Sequence, residues 1–196
     1  MEGIKILAAH PDWRPDPDGT AVFFGAFDPP HPGHAQLARA TLALGLAARV
    51  VVAPAGPHPG KASYFHTPAE RARLAREFCA TLAPLPVLAQ TRWVESDVPT
   101  ATPQIDAFFR AAYGDPAYVF GADVAARMGR WEDPARVAAM RKVFFMRDGL
   151  VPDLTGMSNW VLADAGPAAV GWSSSQVRAG QNPTLASGAR PGTLGT

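Results

Sequence analysis

The stretch TAVFFGAFDPPHPGHAQLARATLALGLAARVVVAP, residues 20–54, constrains the fold more than any other part of the chain. An apolar run with Gly25 near its end passes into a turn crowded with prolines, and then into GHAQLARATLALGLA, where Leu37, Thr41, Leu44 and Ala48 recur at helical spacing. A second apolar run, RVVVAPA, follows directly. Strand, helix and strand in that order predict a βαβ unit, since parallel neighbours need a covering crossover between them.

The rhythm then repeats. TPAERARLAREFCATL predicts a helix with Thr67 as N-cap and Pro68 in its first position. The alternation continues through PVLAQTRWVE, PQIDAFFRAAYG, AYVFGADV, ARVAAM, KVFFMRDG and NWVLADAG, in which Phe144 and Phe145 read as core strand residues. Apolar strands alternating with amphipathic helices predict an α/β fold, a doubly wound parallel sheet covered on both faces. IKILAA near the start is a candidate extra strand, and HPDWRPDPDG a loop before the first core strand. Residues 1–180 are expected to form a single domain. The Gly-, Ala-, Thr- and Pro-rich residues 181–196 lack any apolar period and are expected to form a flexible tail.

Several function classes fall away. Lys plus Arg number 18 against 17 Asp plus Glu, so no basic field for long nucleic acid is present and any phosphate recognition must be local. One cysteine, Cys79, on the apolar side of a predicted helix, gives neither a disulfide framework nor a metal cluster. No run approaches the length of a membrane span, and MEGIKILAAHPDW lacks the form of a signal peptide, so a soluble cytoplasmic protein is expected. No G-x-G-x-x-G follows a strand. GPHPGKAS has one residue too few for a phosphate-binding P-loop, and two of its positions are prolines without N–H groups.

Two constellations carry chemistry. In FGAFDPPHPGH the helix begins near Gly33, its free N–H groups facing the rim where strands end, with His31 and His34 three residues apart. Such a pair serves as turn and capping residues, as donors to phosphate oxygens, or as two ligands of a zinc site whose remaining ligands have no candidate nearby. In GWSSSQVRAG, Ser173, Ser174 and Ser175 precede a short helical segment carrying Arg178, a second arrangement suited to an anion. His10, His58 and His66 read as loop residues.

Together these segments resemble a known superfamily. FGAFDPPHPGH is similar to the G-x-F-D-P-x-H-x-G-H signature of the H-x-G-H nucleotidyltransferases, and WSSSQVR to their I-S-S-T-x-I-R. VFGADVAARMGRWED resembles the G-A-D…W segment of nicotinate mononucleotide adenylyltransferases, and the three matches occur in family order. The resemblance implies a Rossmann-like fold and transfer of AMP from ATP, accompanied by Mg2+, to nicotinic acid mononucleotide with release of pyrophosphate. It assigns His31, His34 and Arg178 to catalysis, and Gly25, Ala26, Phe27, Gly33, Gly121, Asp123, Ser174 and Ser175 to ATP. Lys61, Asp106 and Trp131 fall to the acceptor. TATPQIDAFFR departs from the family's S-Y-T-I-D-T-L: Asp106 is kept while Pro103, Gln104 and Ala107 differ. That leaves nicotinamide mononucleotide or pantetheine phosphate as alternative acceptors, and nucleotide binding without catalysis as another reading. The oligomeric state is left open.

Overall fold

The computed structural model describes residues 3–57, 63–96, 102–146, 149–169 and 171–180. Its sheet has seven strands, which are β1 (Ile4–Ala9), β2 (Thr20–Gly25), β3 (Arg49–Pro54), β4 (Val87–Ala89), β5 (Ala117–Gly121), β6 (Lys142–Phe145) and β7 (Trp160–Ala165). They lie in the order β1-β7-β6-β5-β2-β3-β4. Every pairing from β4 to β7 is parallel, as the alternation predicts. IKILAA is indeed a strand, and it adds the one antiparallel pairing: β1 closes against β7, Ile4 opposite Ala165, with a register shift between Ile6 and Ala8.

The parallel strands lack polar alternation because both of their faces are dry. On one side Phe23, Val50, Val52, Val119, Val143 and Phe145 pack with Ala35 and Ala38 of α1 (Pro32–Ala43) and with Phe78 and Cys79 of α2 (Pro68–Thr81). On the other, Val22, Val51, Tyr118, Phe120 and Phe144 pack with Ile105 and Phe109 of α3 (Thr102–Tyr113), Met128 of α4 (Ala125–Met128) and Val137 of α5 (Pro134–Ala139). Helix α6 (Ser174–Arg178) completes the set. Thr67 caps α2 as predicted, accepting from the N–H of Glu70 with Pro68 next in line.

Two expectations are corrected, and one buried charge was not anticipated. Helix α1 ends at Ala43, with Gly45 in the left-handed region at φ 63°, so Ala48 lies outside it. It docks through Ala35, Ala38, Ala40 and Thr41, while Leu37 is only partly buried. Small residues let its backbone lie close to the sheet. β4 is only Val87–Ala89, because the chain turns at once through 92–95. Last, Lys142 is fully buried at the start of β6. Its ammonium donates to the carbonyls of Val137, Ala138 and Met140 at the end of α5, and burial pulls its pKa down to about 8.

The strand order reverses between β2 and β5. β3 and β4 extend one way from that junction and β6 and β7 the other, which opens a crevice beyond the carboxyl ends of β2 and β5. Gly25 and Gly121 end those two strands, so FGAFDPPHPGH and GAD flank the same crevice.

A buried two-sided sheet makes a direct prediction. Phe144→Ala, at a fully buried position, should lower unfolding stability by about 3–5 kcal/mol. Ile6→Ser on the half-exposed edge strand should change it by roughly 0.5 kcal/mol or less, both read from urea midpoints.

Candidate active site

The turn between β2 and α1 is built around Phe27. Its backbone adopts the left-handed region at φ 46°, a conformation that costs a non-glycine residue about 1–3 kcal/mol. Burial holds it there: the ring is wholly inaccessible and packs on Phe23 (centroids 5.1 Å) and on the His34 imidazole (4.7 Å). The same ring lies against the open side of Gly25, where an added Cβ would meet it at 3.4 Å.

His31 occupies the extended N-cap of α1, and the helix begins at Pro32, one residue earlier than the sequence suggested. The His31 N–H donates to Nδ1 of His34 at 3.2 Å. An accepting Nδ1 places the proton of neutral His34 on Nε2, which is thereby a donor. The two imidazoles lie side by side, centroids 3.6 Å apart, at the positive end of α1. The pair thus caps the helix and also lines its N-terminus. No group of three or more His, Cys, Asp or Glu suited to a metal occurs among the described residues. Trp172 lies nearly parallel to the His31 ring, 13° between planes at 6.4 Å. A Cβ on Gly33 would stand 2.8 Å from Cβ of Trp172, so this glycine is required for the close approach of the two segments.

Segment 172–178 is bolted to the turn. Ser173 caps α6 by accepting from the N–H of Gln176. Ser174 Oγ donates to the Pro29 carbonyl at 2.9 Å, and Arg178 donates to the Asp28 carbonyl and to Ser175 Oγ at 3.0 Å. His31, His34, Ser174, Ser175 and Arg178 therefore share one neighbourhood, although they come from opposite ends of the sequence.

A third segment joins them that sequence reasoning did not include. The carboxylate of Asp28, 1% exposed, accepts from the N–H of Phe65 (2.7 Å), the N–H of His66 (3.0 Å) and Nδ1 of His66 (2.8 Å). Burial by itself would push its pKa up, but those donors outweigh it and hold the group below the ordinary value. Arg71, fully buried on α2, donates to the carbonyls of Ala26 and Ala55 and lies 3.6 Å from the centre of the Tyr64 ring. Asp28, Ser63, Tyr64, Phe65 and Arg178 line an open pocket of about 380 Å³. The sequence held weak signals for these residues: Asp28 stands inside the motif itself, and Arg71 is a charge on the buried face of an amphipathic helix.

The remaining predicted residues are not part of this neighbourhood. The Asp123 side chain folds over Gly121, where a Cβ would meet its Oδ1 at 2.6 Å, and sits 3.6 Å from Arg127. Trp131 is partly buried, edge-on to Phe120 at 5.8 Å. Asp106 is buried in an internal network, accepting from Arg110 Nε at 3.0 Å and Tyr118 Oη at 2.9 Å, with Arg136 at 3.7 Å. Lys61, His58 and the segment 181–196 lie outside the described residues.

The family model described as Cytidylyltransferase-like matches residues 22–180. Two solved structures of the Plasmodium falciparum nicotinic acid mononucleotide adenylyltransferase, complexed with NaAD and with APC, share the fold at TM-scores of 0.66 and 0.62. Each is 15% identical, and the match covers 83% of either chain. The phosphopantetheine adenylyltransferase of Methylobacterium sp. (strain 4-46) is 47% identical over 64 residues, 33% of this chain and 36% of that relative's length.

The Asp28 contacts predict an acid limb in stability. A depressed native pKa stabilises the fold above the unfolded value, near 3.8, and that contribution is lost as pH falls through the lower native pKa. Urea midpoints measured from pH 7 to pH 2 should fall below about pH 4, and Asp28→Asn should flatten that fall while lowering the midpoint at neutral pH.

Proposed function

The chain belongs to the cytidylyltransferase-like family, and we propose that it is an adenylyltransferase that transfers AMP from ATP to nicotinic acid mononucleotide. One observation carries the reading: His31 and His34 stand side by side at the N-terminus of α1, on a turn to which Arg178 is anchored, at the reversal of strand order. Those are donors and positive charge, which suit phosphoryl chemistry carried by positioning and electrostatics.

In this reading a 5′-phosphate oxygen of the acceptor attacks the α-phosphorus of ATP. The bond to the bridging oxygen breaks, and pyrophosphate departs with both of its electrons. His34 and His31 donate to the α- and β-phosphate oxygens, and Arg178 with Ser175 holds the departing end. Backbone from Gly25 to Phe27 and Gly33 runs beside the nucleotide, while Gly121 and Asp123 face its ribose. Trp131 borders the acceptor, as would Lys61, and Asp106, buried with Arg110 and Tyr118, acts on that site only through the fold. A magnesium ion supplies charge neutralisation on the phosphates. The carboxylate of Asp28 is engaged by three protein donors, which fits an ion carried by ATP rather than by the chain. A single unpaired cysteine, buried on α2, supports a reducing, cytoplasmic setting.

A second acceptor, pantetheine phosphate, is favoured by the 64-residue likeness to a phosphopantetheine adenylyltransferase. Pyrophosphate release from ATP and magnesium, measured with each acceptor, separates the two readings. Fast release with nicotinic acid mononucleotide alone is expected, release with pantetheine phosphate alone would move the assignment, and release with neither would remove the activity. His34→Ala should lower kcat by about 100-fold while changing the dissociation constant for ATP far less.

A further inference from the structure

We infer that Asp28 is a positioning residue for the transfer proposed above: it holds Arg178 from two sides and so sets the spacing between the guanidinium and the paired imidazoles. The first route is direct, because the Asp28 carbonyl accepts from Arg178 Nη1. The second runs through the carboxylate, which takes the N–H of Phe65. The ring of that same Phe65 lies 5.9 Å beneath the Arg178 guanidinium. The other carboxylate oxygen takes both the N–H and the ring Nδ1–H of His66.

None of these partners is local. Phe65 and His66 lie 37 and 38 residues along the chain from Asp28, and Arg178 lies 150 away. One buried residue, through its carboxylate and its carbonyl, therefore joins the β2–α1 turn, the segment before α2 and helix α6, and Asp28, Phe65 and Arg178 of that junction line the pocket. Phe65 is 53% exposed, so its place depends on its backbone hydrogen bond more than on burial. Asp28 approaches His31 along the same turn, and any change in its two holds on Arg178 alters the distance across the site.

The conservative variant breaks the junction without creating a cavity. In Asp28→Asn the amide must turn its NH2 toward either the Phe65 N–H or the His66 N–H, and a backbone N–H cannot accept. His66→Phe removes only the ring donor. The wild type, both single variants and the double variant are compared by kcat and KM for ATP in pyrophosphate release with the acceptor the wild type uses. Melting temperature and amide exchange at Phe65 and His66 are measured alongside. The expected result is a kcat for Asp28→Asn lower by about tenfold or more per folded molecule, with KM for ATP changed less than about threefold. Exchange at both amides should accelerate. The double variant should be no worse than Asp28→Asn, since the His66 ring donor acts through that carboxylate and phenylalanine keeps an aromatic ring against Phe65. Unchanged kcat, or losses that add in the double variant, would overturn the inference and leave Asp28 a folding residue. Should the wild type transfer to no acceptor, the proposed activity fails by itself. Amide exchange then replaces kcat as the readout, and unchanged exchange at Phe65 and His66 in Asp28→Asn overturns the positioning role.

Discussion

A sheet whose central strands are dry on both faces must be covered on both, and the crossovers that cover it are right-handed. From those two constraints comes the reversal of strand order between β2 and β5, where neighbouring connections leave to opposite sides. The crevice is what remains uncovered. The paired histidines stand at that opening, and the two strands that border it end in glycine, Gly25 and Gly121.

The crevice alone would be a gap between loops. Rigidity comes from the way three distant segments exchange polar contacts with a single turn. Arg71 fastens the carbonyls of Ala26 and Ala55 from below, Asp28 gathers the backbone at 65–66, and Ser174 with Arg178 closes from the far side. Phe27 tolerates a left-handed backbone because its ring is locked among Phe23, Phe78 and His34. Strain at the turn is thus offset by packing on the same residue, and the imidazole of His34 is oriented by that packing. Two charged groups at this junction are largely withdrawn from water, and each is fully occupied: the guanidinium of Arg71 by carbonyls and an aromatic face, the carboxylate of Asp28 by N–H donors.

Much of this was legible in the chain because it is local. The β2–α1 unit, the cap at Thr67, the paired histidines and the serine-led start of α6 all depend on residues within a few positions of one another, and period and capping chemistry report such features directly. Three things were not legible. The face α1 presents to the core follows alanines that carry no strong hydrophobic signal, so Leu37 drew the expectation instead. The end of β4 depends on the turn at 92–95. The Asp28–His66 junction and the seat of Trp172 on Gly33 join residues far apart in sequence, and nothing in the spacing of His66 or Trp172 announces a partner. For the same reason Asp106 reads from sequence as a rim residue, whereas Arg110 and Tyr118 engage it within the fold.

The antiparallel edge strand has its own consequence, which concerns time rather than place. β1 precedes every other strand of the sheet in the sequence, yet among the described residues its strand neighbour is β7, the last of them, with Ile4 opposite Ala165. While the parallel core is being laid down from β2 outward, β1 has no template, and its exposed Ile6 and Leu7 face solvent. Pairing at such long sequence separation carries a large loop-closure entropy and comes late in folding. Once β1 has paired, the irregularity between Ile6 and Ala8 interrupts what would otherwise be a flat, apolar edge, and so disfavours edge-to-edge joining of two folded molecules.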